Sequence, residues 1–333
     1  MGLLVDGVWR DDSHDPSRIQ GGRFVRPKSP YRNFVTADGN SGPSGEGGFA
    51  AEPGRYHLYV AYGCPWAHRT IMYRKLKQLE NVISMSHVSW RTDDDGWTFD
   101  TATGSSGDTL LGKTFMYEVY LAATPNFTGR VTVPVLWDKQ RKTIVNNESS
   151  EIIRMLNSAF DAFTNVRTDY YPAAYRKQID ELNELIYTTF NNGVYRSGFA
   201  TTQEAYEEAV RGVFSTLDEL EIRLGKQRYL CGPQLTEADI RMFPTLVRFD
   251  PVYYSHFKCN IHRIEDYPNL SNYLRDLYQT PGVAETVNLE HIKRHYYMSH
   301  KRLNPTGIVP LGPALALDRP ADRGRGVDKL IVF

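Results

Sequence analysis

Cys64 lies between Gly63 and Pro65, and this setting makes it the residue best placed for covalent chemistry. The run His57-Leu58-Tyr59-Val60-Ala61-Tyr62 before it is β-prone, while Ala67, Ile71, Met72, Leu76 and Leu79 after it recur at helical spacing. Pro65 suits a first helical turn because its missing N–H costs nothing there. The order strand, cysteine, helix sets the thiol beside first-turn N–H groups and the positive end of a helix dipole, both of which stabilise a thiolate. A free cysteine titrates at about 8.5, and such settings lower that to roughly 3.5 to 7.5. Cys231 and Cys259 have no comparable setting. A dithiol redox motif would carry a second cysteine three positions on, where this chain has Ala67, so the site is monothiol. Its mixed disulfide must be resolved by an external thiol, for which glutathione is the abundant cytosolic candidate.

The elements that position Cys64 belong to a chain of 333 residues, 41% hydrophobic and 23% charged, long enough for two packed domains. Lys+Arg and Asp+Glu both number 39, so no net field exists to hold nucleic acid or an acidic membrane, and the expected ligand is small. No apolar run approaches the roughly 20 residues that span a bilayer, and Met1 to Asp6 lack a signal-peptide pattern. The expectation is a cytoplasmic protein without a membrane partner. Three cysteines are too few and too scattered for a disulfide framework or a zinc cage. The 21 Tyr, 15 Phe and 5 Trp suit a protein that handles flat or amphipathic ligands, although most of them will be core residues.

Residues 1–50, rich in Gly, Pro, Ser and Arg, read as an irregular extension that wraps a folded body, with Gly42 to Gly48 as a linker. Residues 51–160 read as one α/β domain. After the helix that follows Cys64, Val82 to Trp90 holds a second strand, and a polar insertion runs from Arg91 to Gly112. An apolar segment around Met116 to Leu121, the strand Thr132 to Trp137 and the short strand Thr143-Ile144-Val145 follow. Ser149 then precedes a helical pattern through Ile152, Ile153 and Leu156. Pro134 excludes an interior ladder position for its strand unless the peptide bond is special, for instance cis. Residues 165–300 read as all-helical, with amphipathic stretches at Tyr175 to Phe190, Gln203 to Leu224 and Glu237 to Phe249. Thr236 and Asp239 form a capping box there. Residues 301–333, with four prolines, form a tail without periodicity.

The segments Tyr62-Gly63-Cys64-Pro65-Trp66-Ala67-His68-Arg69, Gly96-Trp97-Thr98-Phe99-Asp100, Val133-Pro134-Val135 and Asn147-Glu148-Ser149-Ser150 together resemble glutathionyl-hydroquinone reductases, the Xi class of glutathione transferases. The similarity runs from Phe24-Val25-Arg26-Pro27 to Asn304 through Pro310. It implies a thioredoxin-like N-terminal domain followed by an all-α C-terminal domain, a homodimer, glutathione as co-substrate, no metal, and a glutathionylated hydroquinone or related aromatic as substrate. It also implies that Pro134 is cis and that the Val133 backbone pairs with the cysteinyl unit of glutathione like an added strand. Glu148 and Ser149, at a helix start, would bind the ammonium and carboxylate of the γ-glutamyl group. Trp97 and Arg130 carry over as glutathione contacts, one covering the peptide and the other pairing with a carboxylate. Tyr195, Tyr253 and Tyr296 are the best matches for the tyrosines that face the aromatic substrate, with Tyr254 and Tyr297 as neighbouring registers.

The reaction so implied is reductive deglutathionylation: the Cys64 thiolate attacks the sulfur of the conjugate, the ring leaves, and a second glutathione releases Cys64. A ring carbon leaves poorly unless its oxygen is polarised, which assigns the tyrosines to acid catalysis and electrostatic stabilisation. Two other readings use the same motifs: an Omega-like thiol transferase or dehydroascorbate reductase, and a non-catalytic glutathione-fold binding module, against which an intact Cys64 argues. His291 and His295 have i, i+4 spacing but no third ligand, and read as a solvated helix face.

Overall fold

Aromatic and β-branched residues make Tyr56–Val60 a strand, and all five residues are buried, as in a strand covered on both faces. A computed structural model describes residues 2–11 and 18–323 of the chain; residues 1, 12–17 of the extension and 324–333 of the tail lie outside the described residues. Tyr56–Val60 occupies an inner place in a four-stranded sheet of order Thr143–Asn146, Val135–Asp138, Tyr56–Val60, Ser84–His87. It pairs parallel with Ser84–His87 and antiparallel with Val135–Asp138. A parallel pair needs a crossover, and the helix Pro65–Leu76 supplies it. This helix packs against the helix Ser149–Ser158. It stops short of Leu79, because Gln78 turns left-handed at φ 52°, yet Leu79 is still buried. The Val133–Pro134 peptide bond is cis, and Pro134 precedes the strand that starts at Val135.

The chain divides into two compact units, one made of Met1–Asp15, Lys28–Thr168 and Glu285–Val309, the other of Pro16–Pro27, Asp169–Ala284 and Pro310–Phe333. The first holds the four-stranded sheet, the thioredoxin-like arrangement, and also the helix Leu289–Ser299. Sequence periodicity groups that helix with the helical half, because periodicity reports that a segment is helical and not what it packs on.

The second unit is mainly helical among the described residues, with one short hairpin and with Arg176–Ile186, Gly193–Gly198, Gln203–Leu224, Glu237–Arg248 and Pro268–Tyr278 as its main helices. The capping box at the start of Glu237–Arg248 is present: Thr236 N and Oγ1 each donate to Asp239 Oδ2 at 2.8 Å. Asp239 Oδ1 also accepts from Tyr273 Oη at 2.7 Å, which ties two helices together. Two π-helical turns, Tyr187–Asn191 and Phe249–Tyr253, extend the helices before them. Their phenylalanines Phe190 and Phe249 stack at 5.9 Å.

The extension is more ordered than its composition suggests. Gly2–Val5 and Val8–Asp11 form a hairpin, turned by Asp6 and Gly7 at φ 50° and 78°, and Gly129–Arg130 adds a third strand. Both central residues in left-handed conformation give the turn whose twist matches a hairpin. No helix among the described residues is long and apolar enough to cross a membrane.

Candidate active site

Cys64 is the N-cap of the Pro65–Leu76 helix, with extended backbone at φ −82°, ψ 121°. Its N–H donates to Ala61 O at 3.1 Å, and its carbonyl accepts from His68 N at 3.0 Å. The Sγ donates to Val133 O at 3.6 Å, so the thiol stands beside the main chain of the Val133–Pro134 segment. Cys64 is buried, with 9% of the residue exposed. The other two cysteines are placed differently. Burial pushes the Cys231 thiol up to about 11 and the Cys259 thiol up to about 12, so neither is a thiolate near neutral pH. None of the three is in a disulfide.

Glu148, and not Ser149, caps the helix Ser149–Ser158: it has extended backbone, and its Oε1 accepts from Ser150 N at 3.1 Å and Ser150 Oγ at 3.0 Å. Ser29 Oγ donates to Oε2 at 3.0 Å. Burial raises the Glu148 pKa, but these hydrogen bonds and the charge of Arg69 outweigh it and hold the carboxyl below its ordinary range. Ser149 is the first helical residue, and its Oγ accepts from Arg69 Nη1 at 3.5 Å. Arg69 itself is 2% exposed, with its guanidinium 4.6 Å from the Trp66 ring centroid. A buried cation of this kind fixes local charge where Glu148 and Ser149 meet the first helix.

Trp97 sits on a two-residue strand paired with Thr92–Asp93, and it is buried, stacked on His295 at 4.7 Å with an interplanar angle of 23°. Arg130 is half-buried on the strand that pairs with Leu3, three residues before Val133. His291 and His295 do not form a solvated face: both are buried, at 7% and 6% exposure. His291 lies edge-on to Tyr62 at 5.6 Å and to His87 at 5.8 Å, and burial depresses it to about 4. The helix that carries them belongs to the α/β unit, which is why its polar face is covered.

The three tyrosines are divided between the units. Tyr296 is fully buried in the unit that holds Cys64, with its ring 5.3 Å from His295 and 5.4 Å from His300. Tyr195 and Tyr253 are 6.1 Å apart in the other unit, and Phe257 lies 5.3 Å and 5.4 Å from them. The Arg26 guanidinium lies 4.9 Å from the Tyr195 ring, and Arg26 Nε donates to Asn192 Oδ1 at 2.9 Å. Tyr253 ends the π-turn Phe249–Tyr253 and is buried, whereas its neighbour Tyr254 is half-buried. Ser29, Arg69, Ser150 and Arg26 are given no site role by the sequence, and His295 reads there as part of a solvated face. Arg69 carried a local signal, as an arginine one turn beyond Pro65.

Residues 63–159 match the family described as glutathione S-transferase, N-terminal domain, and residues 203–276 the one described as glutathione S-transferase, C-terminal domain. The chain is 59% identical to the glutathionyl-hydroquinone reductase YqjG of Escherichia coli (strain K12), over 97% of this chain and 98% of that protein. It is 56% identical to the glutathionyl-hydroquinone reductase PcpF of Sphingobium chlorophenolicum, over 95% and 98% of the two chains. The solved glutathione-bound structure of YqjG superposes with a TM-score of 0.90 at 57% identity, covering 97% of this chain and 99% of that one.

Proposed function

The chain belongs to the glutathione transferase family, and from that premise we propose that it reduces glutathionyl-hydroquinones to hydroquinones with glutathione as co-substrate. The observation that carries this reading is the Cys64 thiol at a helix N-terminus, 3.6 Å from the Val133 carbonyl. A thiolate there is stabilised by the helix end and lies beside a main-chain edge that suits an extended tripeptide.

In this reading the Cys64 thiolate attacks the glutathionyl sulfur of the conjugate in its ketone form. The S–S bond to Cys64 forms as the carbon–sulfur bond breaks, and the electron pair passes into the ring as an enolate that takes up a proton to give the hydroquinone. A second glutathione thiolate then attacks the glutathionyl sulfur of the mixed disulfide, which releases the Cys64 thiolate and glutathione disulfide. Each turnover consumes one conjugate and one glutathione and yields one hydroquinone and one disulfide.

Val133 pairs with the cysteinyl unit, Glu148 and Ser149 take the γ-glutamyl ends, Arg130 takes a carboxylate, and Trp97 covers the peptide. Glu148 suits this role because its carboxyl is held ionised and a carboxylate has room for about four hydrogen bonds, of which the protein supplies three. Tyr195, Tyr253 and Tyr296 serve the ring oxygen. The protein acts as a cytoplasmic homodimer. Cys64→Ala should abolish turnover while glutathione still binds; retention of more than a few per cent of turnover would remove the nucleophile assignment. Specific activity of the wild type on a glutathionyl-hydroquinone against dehydroascorbate and a small mixed disulfide separates the proposal from an Omega-like thiol transferase.

A further inference from the structure

His291, His295 and Ser299 recur every fourth residue on the helix Leu289–Ser299, and all three meet the α/β unit. Ser299 Oγ accepts from Thr92 N at 3.0 Å, and Thr92 pairs with Trp97 across the short hairpin. His295 Nδ1 is 3.2 Å from Trp90 O; a carbonyl only accepts, so Nδ1 carries the proton. The same imidazole stacks on the Trp97 indole at 4.7 Å. The side chain also rests against the residue before the nucleophile: a Cβ added to Gly63 would lie 2.6 Å from His295 Cβ and 2.7 Å from Cγ. Glycine at 63 is therefore what lets this side chain come down onto the Gly63–Cys64 turn.

We propose that His295 is a positioning residue that seats the Trp97 indole relative to the Gly63–Cys64 turn, so that glutathione affinity depends on His295 through Trp97. The inference rests on the assignment of Trp97 as a glutathione contact. His295 touches the backbone before Cys64, the indole and the Trp90 carbonyl at once. Its ring supplies the stack.

The test is a double-mutant cycle on the full-length protein, read as the Kd of reduced glutathione by titration calorimetry, so that turnover on any hydroquinone does not enter. Loss of one stacked aromatic partner predicts that His295→Ala weakens binding roughly three- to tenfold. In a Trp97→Ala background the same substitution should change Kd by less than about twofold, because the group it acts through is gone. His295→Phe, which keeps the stack without the donor, should recover wild-type affinity to within about twofold. Equal weakening by His295→Ala in both backgrounds would overturn the proposal. So would an unchanged Kd in His295→Ala when Trp97→Ala alone weakens binding, and in that case Trp97 keeps its role. An unchanged Kd in Trp97→Ala removes the Trp97 assignment and this inference with it. Should the alanine variant fail to fold, His295→Leu fills the space without a ring and takes its place in the cycle.

Discussion

Acid should loosen the central sheet through His57. This residue is 1% exposed on the strand Tyr56–Val60, with Nδ1 2.8 Å from Ser84 Oγ and Nε2 3.0 Å from Ser86 Oγ on the parallel neighbour. Burial lowers its pKa from the ordinary 6.5 to about 4, helped by Lys139 and Arg74 and opposed by Asp108. The unfolded chain binds a proton on this ring near 6.5 and the folded chain only near 4, so between those values unfolding takes up a proton. The stability tied to a neutral His57 is therefore complete above the unfolded pKa and is lost as the pH falls toward 4. A drop from 6.5 to about 4, at about 1.4 kcal/mol per pH unit, amounts to about 3 kcal/mol in all. Of this, about 2 kcal/mol is lost between about pH 7 and about pH 5. The assay is urea unfolding of the wild type and of His57→Asn, which cannot titrate, at both pH values. The wild type should lose about 2 kcal/mol more than the variant on acidification. Parallel losses in the two proteins would show that His57 is not held neutral by burial, and the reasoning would fail.

The remaining predictions concern the site. Alkylation of Cys64 by iodoacetamide should have its midpoint well below the value of about 8.5 for a free thiol, whereas Cys231 and Cys259 should stay unlabelled in the native protein by peptide mass spectrometry. A Cys64 midpoint at the free-thiol value would count against activation by the helix end. Ser149→Ala should raise the glutathione KM roughly five- to thirtyfold, the equivalent of about 1 to 2 kcal/mol, with little change in kcat at saturating glutathione. An unchanged KM would make Ser149 a packing residue only. Tyr→Phe at 195, 253 and 296 should cut kcat with glutathionyl-hydroquinones and spare small disulfides, whose sulfur leaving group needs no proton donor. Parallel losses on both substrates in all three variants would make the tyrosines structural.

Much of the fold was legible because its signals are local. The β-prone run before Cys64, Pro65 at the first turn and the Thr236–Asp239 capping box each act over a few residues, and each appears where the sequence puts it. The hairpin at Asp6-Gly7 is equally local, but the Gly, Pro and Ser content of the surrounding extension masks its two-residue turn signal between Val5 and Val8. What no local rule supplies is the partner of a helix. His291 and His295 looked solvated because a histidine pair among Lys293 and Arg294 reads as a polar face, while the surface that buries them comes from residues some 200 positions earlier in the chain. The same holds for Arg69, whose meeting with Ser149 joins two helices 80 residues apart.

The interleaving of the two units bears on how such a protein can be inherited and rearranged. The chain passes from one unit to the other five times, after residues 15, 27, 168, 284 and 309. A single recombination at any of these points separates neither unit intact. A fragment ending at Thr168 would carry Cys64 and the whole four-stranded sheet, yet it would leave the Trp97 indole without the imidazole that faces it and Thr92 without the Ser299 acceptor. Exchange of one unit for another would need several crossovers at once, which favours inheritance of the two together.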